Sequence, residues 1–180
     1  MFKTIYLVRH CKAEGQSSDV PLTALGFQQA KMLAEFFQDK QIDLIISSPF
    51  TRAIQSIEPL ANSSDLQIKE DERLSERVLS SEDCENWMEM LEDSFHDLDI
   101  CYEGGESSRI AMNRATQVIE DVLIDSASNI LIVTHGNLMS LMLKHYDQSF
   151  GFEEWKALSN PDVYCLKFDG AAPQISRIWA

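Results

Sequence analysis

Cations are scarce in this chain of 180 residues: 15 Lys and Arg stand against 29 Asp and Glu, a formal net charge of −14. That balance excludes nucleic-acid binding through a general basic surface, since a polyanion would be repelled at long range. Cysteine is sparse too. Cys11, Cys84, Cys101 and Cys165 form no CxxC pair and no metal-ligand spacing, so they read as reduced thiols of a cytoplasmic protein, with no metal or other cofactor implied. No apolar run approaches the ~20 residues that cross a bilayer, which predicts no membrane partner. No repeat or low-complexity segment is present, and Met1-Phe2-Lys3 leads straight into an apolar stretch, which predicts no signal peptide. The length suits one domain over residues 1–180 with a core that needs no staples. It sets no oligomeric state.

Against these absences stand two short stretches with chemistry at their ends. Thr4 to Val8 is apolar and β-rich, and Arg9-His10-Cys11 follow at once. Ile130 to Thr134 is a second such run, followed by His135-Gly136-Asn137. A buried parallel strand that delivers side chains to its carboxyl end has this pattern. Two of the chain's four histidines occupy such positions. One alone would read as a structural hydrogen-bonder. The pair, with Arg9 beside the first, points to a site that handles phosphate.

Between and beyond them the pattern alternates. A polar loop, Lys12 to Pro21, precedes a helix that Thr23 can cap and that runs to about Lys40, with Ala30, Leu33, Ala34 and Phe37 on one face. Ile42 to Ser47 reads as a strand. Ser48 as N-cap and Pro49 at the first helical position then open a helix to about Ala61, with Arg52 in its first turn. Leu66 to Lys69 alternates like a short strand, and Leu74-Ser75-Glu76-Arg77 follows.

Glu82 to Phe95 predicts a helix packed through Trp87, Met88, Leu91 and Phe95. Gly104-Gly105 breaks the chain, and Ser107 or Ser108 caps a helix to about Ser126. Asn137 to His145 predicts a buried helix, and Val163–Phe168 with Ile175–Trp179 a closing pair of strands at one edge. Alternating strands and amphipathic helices give an α/β layered domain with a mostly parallel sheet. Between Arg77 and Arg109 there is no Lys or Arg but ten Asp and Glu. This acidic run reads first as a solvated helix face, and second as an excursion at about 79–104 that overhangs a site.

Phosphoryl transfer needs a nucleophile, cations around the phosphate oxygens, and a proton for the leaving oxygen. Neutral imidazole is a competent nucleophile near pH 7, and arginine supplies forked donors that fit phosphate. Arg9, His10, Arg52 and His135 all follow strands that would end on one edge of a parallel sheet, and Glu76 can reach that edge.

Five motifs extend this reading: Leu7-Val8-Arg9-His10; Leu22-Thr23-x-x-Gly26-x-x-Gln29-Ala30; Ser47-Ser48-Pro49-x-x-Arg52-Ala53; Gly105-Glu106-Ser107; and Val133-Thr134-His135-Gly136-Asn137. Each is weak alone. In this order they resemble the histidine phosphatase superfamily, the phosphoglycerate-mutase-like group, over nearly the whole chain. The resemblance implies a three-layer α/β/α sandwich and a metal-independent phosphatase acting on a small phosphomonoester through a phosphohistidine. It implies that His10 is the nucleophile, that Arg9, Arg52 and His135 cradle the phosphoryl group, and that Glu76 is the acid. Gln16 stands where many members place a phosphate-contacting Asn, and Gly136-Asn137 would supply backbone donors.

Cys11 departs from the usual Gly after the nucleophile and reads as a buried small hydrophobe. Arg77 either touches the substrate or forms a surface ion pair. Arg73 reads as structural, His96 as exposed, and His145 as a partner of terminal helix carbonyls. Three other functions use the same residues: a phosphoglycerate-mutase-type phosphotransferase, a protein phosphohistidine phosphatase with an open site, and a non-catalytic phospholigand-binding module. Presence of Arg9, His10, Arg52, Glu76 and His135 together argues against the last.

Overall fold

A computed structural model describes residues 2–179. The elements are β1 (Lys3–Arg9), α1 (Ala24–Phe37), β2 (Leu44–Ser47), α2 (Thr51–Ser64), β3 (Ile68–Glu70), a 3₁₀ turn (Glu72–Leu74), α3 (Trp87–His96), α4 (Ser108–Ile124), β4 (Asn129–Thr134), α5 (Gly136–Tyr146), α6 (Phe152–Lys156), β5 (Asp162–Phe168) and β6 (Pro173–Arg177). The strands form one sheet in the order β3-β2-β4-β1-β5-β6. β1, β2, β3 and β4 pair in parallel, while β5 and β6 run antiparallel at the edge. The fold is the expected three-layer α/β/α sandwich with a mostly parallel centre.

Alternation along the central strands builds the two faces. Ile5, Leu7, Ile46, Ile130 and Ile132 point into one hydrophobic cluster with α4 and α5. Val8, Ile45, Leu131 and Val133 point into the other, with α1 and α2. Every residue of β4 after Asn129 is buried, as expected of a strand covered on both faces. β1 and β4 are neighbours, yet the helix after β1 lies on one face and the helix after β4 on the other. Their carboxyl ends therefore open a crevice at a topological switch point, where doubly wound sheets bind ligands.

Local chemistry explains the boundaries. The Thr23 hydroxyl accepts the Gly26 amide at 3.0 Å and starts α1. A Cβ on Gly26 would lie 2.1 Å from the Lys12 carbonyl oxygen, so only glycine lets α1 pack on the loop after β1. α1 stops at Phe37 and β2 begins at Leu44, short of the expected limits.

Ser48 is not the N-cap of α2. Its amide still pairs with the Val133 carbonyl in the sheet, and its hydroxyl is taken by His135, so Phe50 is the cap residue. α3 begins at Trp87 rather than Glu82. Its buried residues are Met90, Leu91, Ser94 and Phe95. Met88 lies on the row of exposed Glu92 and is 41% exposed, contrary to its expected packing role. Trp87 shares the row of Leu91 and Phe95, but from the first turn it projects past the core and is 46% exposed. α6 was not apparent in the pattern, and β6 falls two residues earlier than expected. No helix among the described residues is long and apolar enough to cross a membrane.

Candidate active site

The parallel strands deliver His10, Ser48, the 3₁₀ turn with Glu76 beyond it, and His135 to one edge of the sheet. The His10 and His135 rings meet edge to face with centroids 5.1 Å apart. His10 Nδ1 lies 2.7 Å from the Cys11 carbonyl oxygen. A carbonyl only accepts, so Nδ1 carries the proton and Nε2 keeps its lone pair. The Arg52 Nε–H donates towards that Nε2 at 3.3 Å, which requires the same tautomer. Two further bonds hold this segment: Asn160 Nδ2 donates to the His10 carbonyl (2.9 Å) and the Cys11 amide donates to Ser56 Oγ (2.8 Å).

Each cation is aimed by backbone. Arg52, in the first turn of α2, donates through Nη1 to the carbonyls of Gln16 (3.0 Å) and Ser17 (2.8 Å). Gln16 thus holds Arg52 through its main chain while its exposed side chain lines the cavity. Arg9 donates to the carbonyls of Leu158 and Ser159. Its guanidinium rests on Gly136, where a Cβ would stand 2.9 Å from Arg9 Nε, so a side chain at 136 would displace the cation.

Glu76 sits across the N-terminus of α5. The Asn137 and Leu138 amides donate to its two oxygens at 3.1 and 2.9 Å, and the Arg77 amide adds a third bond at 2.8 Å. Burial nevertheless raises the Glu76 carboxyl above the usual carboxylate range, outweighing those bonds and the pull of Arg9. Burial also lowers the His10 imidazole to about 3, with Arg52 and Arg9 adding to the effect against the Cys11 bond. It drives His135 well below its ordinary value, reinforced by His10 and the arginines. Both imidazoles are therefore neutral near pH 7, beside a carboxyl shifted towards its protonated form.

The buried side-chain nitrogens and oxygens without a hydrogen-bond partner, among the described residues, are Arg9 Nε, Arg77 Nη2, His135 Nδ1 and Asn137 Oδ1. All belong to this site. An unmet buried polar atom costs about 1–3 kcal/mol, which a bound ligand can relieve.

Arg77 forms no surface ion pair. It is 5% exposed, with Nε on the Glu106 carbonyl (3.1 Å) and Nη1 on Ser94 Oγ (2.8 Å). Burial of the Cys11 side chain in the core with Val8, Ala53 and Ile57 takes its thiol away from the cavity and pushes it up to about 12. Arg73 pairs with Asp71 and Asp121. His96 is exposed, and His145 packs edge to face on Tyr146.

Sequence reasoning missed Ser48, read as a cap, and Phe50, whose ring lies 4.8 Å from His135 and 5.0 Å from the Arg52 guanidinium carbon. It also missed Asn160. Gln29 of the second motif was the available signal: its amide donates to the Asn160 carbonyl at 2.7 Å while its oxygen accepts the Lys12 amide.

Two adjoining cavities of about 430 and 360 Å³ open over these residues. They share Gln16, Glu76, Arg77, Leu79 and Trp87. The larger reaches Arg52 and Phe50 and is bordered by Glu82 and Asp83. The acidic run therefore contributes two of its carboxylates to the cavity wall, and only the remainder of it fits a solvated face. No group of three His, Cys, Asp or Glu among the described residues is arranged to hold a metal ion.

Comparison with known proteins agrees with this geometry. The profile of the histidine phosphatase superfamily (branch 1) matches residues 5–180. A putative phosphoserine phosphatase 2 of Hydrogenobacter thermophilus is 31% identical over 153 residues, 76% of this chain and 75% of that protein. A probable phosphoglycerate mutase of Proteus mirabilis is 32% identical over 159 residues, 77% and 72% of the two chains. Among solved structures, a phosphoserine phosphatase from Entamoeba histolytica in complex with 3-phosphoglyceric acid superposes with a TM-score of 0.79, at 20% identity, over 99% of this chain and 98% of that one.

Proposed function

The chain belongs to the histidine phosphatase superfamily, and from that premise we propose that it hydrolyses small phosphomonoesters without a metal, through a phosphohistidine on His10. The observation that carries the reading is the His10 tautomer: an unprotonated Nε2 faces the cavity cations, 3.3 Å from Arg52 Nε. The lowered imidazole, at about 3, keeps that lone pair free at neutral pH.

In the first step Nε2 attacks phosphorus, a nitrogen–phosphorus bond forms, and the bond to the leaving oxygen breaks. Glu76, whose carboxyl is raised, gives its proton to that oxygen. Arg9, Arg52 and His135 surround the phosphoryl oxygens, where negative charge develops. The Glu76 carboxylate then takes a proton from water, which attacks the phosphohistidine, and phosphate leaves. The amides of Asn137 and Leu138, at the start of α5, position Glu76.

The covering segment argues against the open site of a protein phosphohistidine phosphatase, because Leu79 and Trp87 wall the cavity. Its shortness argues against a mutase, which must shelter its phosphoenzyme from water. The test is phosphate release from a panel of phosphorylated metabolites, with and without chelator, alongside conversion of 3-phosphoglycerate to 2-phosphoglycerate. Release unaffected by chelator is expected. Isomerisation without release would move the chain to the mutases.

A further inference from the structure

The smaller cavity has a wall unlike the phosphate end. Trp87, from the first turn of α3, and Trp155, from α6, both line it. Their indoles meet edge to face, with centroids 6.5 Å apart and planes at 88°. Trp155 is also stacked on Phe152, at 5.5 Å and 23°, so it is held from behind. Neither indole is fully buried: Trp87 is 46% exposed, and Trp155, packed against the core on one side, is only partly buried. Large exposed aromatics beside a cavity signal a ligand surface, because leaving them in water forgoes the burial that an aromatic normally contributes.

The same cavity also carries polar lining. Asn137 is 8% exposed, yet its Oδ1 is buried with no donor. Arg77 is 5% exposed, yet its Nη2 is buried with no acceptor. Both line this cavity with the tryptophans, and Arg9 and Glu76 close its catalytic end. The cavity thus combines an aromatic wall with one unmet acceptor and one unmet donor. A linear alkyl phosphate answers neither the aromatic wall nor the two unmet polar atoms. A ring with hydroxyl groups on its rim answers both, since its C–H face can lie against indole while its hydroxyls donate to Asn137 Oδ1 and accept from Arg77 Nη2.

Resting on the phosphomonoesterase reading of this site, we infer that the Trp87–Trp155 cavity is the leaving-group subsite, and that it selects phosphomonoesters whose alcohol is a hydroxylated ring. Trp87 and Trp155 act in specificity; the reacting atoms lie beyond them, at His10 and Glu76.

The test uses three phosphates of primary alcohols, so that leaving-group basicity stays similar: propyl phosphate, cyclohexylmethyl phosphate and glucose 6-phosphate. For the wild-type chain kcat/KM rises in that order, with on the order of tenfold between propyl phosphate and glucose 6-phosphate. Trp155→Ala and Trp87→Ala each reduce the ratio of glucose 6-phosphate to propyl phosphate severalfold, and Trp155→Phe restores most of it. Fluorescence titration of the same esters with His10→Ala reads ring binding without turnover. If no ester is hydrolysed but the ring esters still bind more tightly, the hydrolase reading falls and the subsite stands. A wild-type preference for propyl phosphate, or a ratio unmoved by both alanine variants, overturns the subsite.

Discussion

The strand ends and the segment that overhangs them are built by different means. At the strand ends Arg52, His10 and Glu76 are oriented by backbone. Arg52 is aimed by the carbonyls of residues 16 and 17, His10 by that of Cys11, and Glu76 by three amides. Such partners depend on the fold and are hard to lose by substitution. The segment of residues 79–104 that walls the cavity is held instead by a stem, core side chains and scattered polar ties. Its stem closes through Glu106 N to Val78 O and Ser81 N to Glu103 O, both at 2.9 Å. Leu91 and Phe95 enter the core. Ser94 ties it to the site, accepting from Arg77 and donating to the Leu91 carbonyl at 2.7 Å. On the proposed function, chemistry is invested in the sheet edge, and selectivity in a side-chain surface that can change without disturbing it.

The contrast predicts losses of different kinds. The most severe belongs to the proposed nucleophile. His10→Ala should abolish turnover, together with the acid-labile, base-stable adduct trapped by rapid quenching with a labelled phosphoester. Retained turnover in that variant would remove the phosphohistidine.

Next come the groups that act on charge and proton. Arg52→Ala should lower the rate by a factor on the order of 10²–10³, since the guanidinium meets charge that grows in the transition state. Glu76→Gln should cost most with poor leaving groups, because an aryl phosphate hardly needs the proton. Single-turnover rates on an aryl and an alkyl phosphate separate these, and equal losses on both would take Glu76 out of the acid role.

How much of this was legible follows the same divide. The sheet edge announced itself because a buried strand ending in Arg9-His10 or His135-Gly136 is a local signal: apolar run, then chemistry. The parallel order of β1 to β4 then gathers those signals without further information. Ser48 was misread because capping and a tertiary hydrogen bond ask for the same hydroxyl, and only the contact with His135 decides between them. Trp87 was misread because i, i+4 spacing marks a row on α3 but not where the core beneath it ends. α6 is five residues long, too short for periodicity to register. The polar bridge from Gln29 through Asn160 to His10 joins residues over 130 positions apart and leaves no local trace.

The pH dependence of stability sharpens the contrast without any assay. His10 is lowered to about 3, and His135 is lowered well below its ordinary value. An unfolded histidine titrates near ~6.5. Between those values the unfolded chain binds more protons than the folded one, so stability is full above the unfolded value and falls as pH drops through the window. Glu76 is raised and works the other way, its contribution fading as pH rises through its folded value. With two histidines against one carboxyl, the net expectation is acid loss. His10 alone accounts for about 2 kcal/mol between pH 7 and pH 5, at ~1.4 kcal/mol per unit. Urea midpoints should fall over that range, and less so in His10→Asn. Parallel curves for the two proteins would mean that His10 is not held neutral by the fold.

The smallest effect concerns the acidic border. Most of the carboxylates between Arg77 and Arg109 lie away from the cavity, but Glu82 and Asp83 border it. A phosphoryl group in the Arg9 and Arg52 cradle is close to its cations and poorly screened. A second phosphate on the same substrate would sit further out, about a Debye length from the two carboxylates, roughly 8 Å at physiological salt. At that distance each repels a unit charge by ~0.5 kcal/mol in water, reduced by screening to ~0.2. Together they disfavour a bisphosphate by about twofold relative to its matched monophosphate. Glu82→Gln with Asp83→Asn should remove that factor, and raising salt should shrink it in the wild type but not in the double variant. The same substitutions at Glu92 and Asp93, exposed on α3 outside the cavity wall, should leave the ratio where it was. If those distant substitutions move the ratio as much as the bordering pair, the discrimination comes from the net charge of the whole molecule, and the overhang has no electrostatic selectivity of its own.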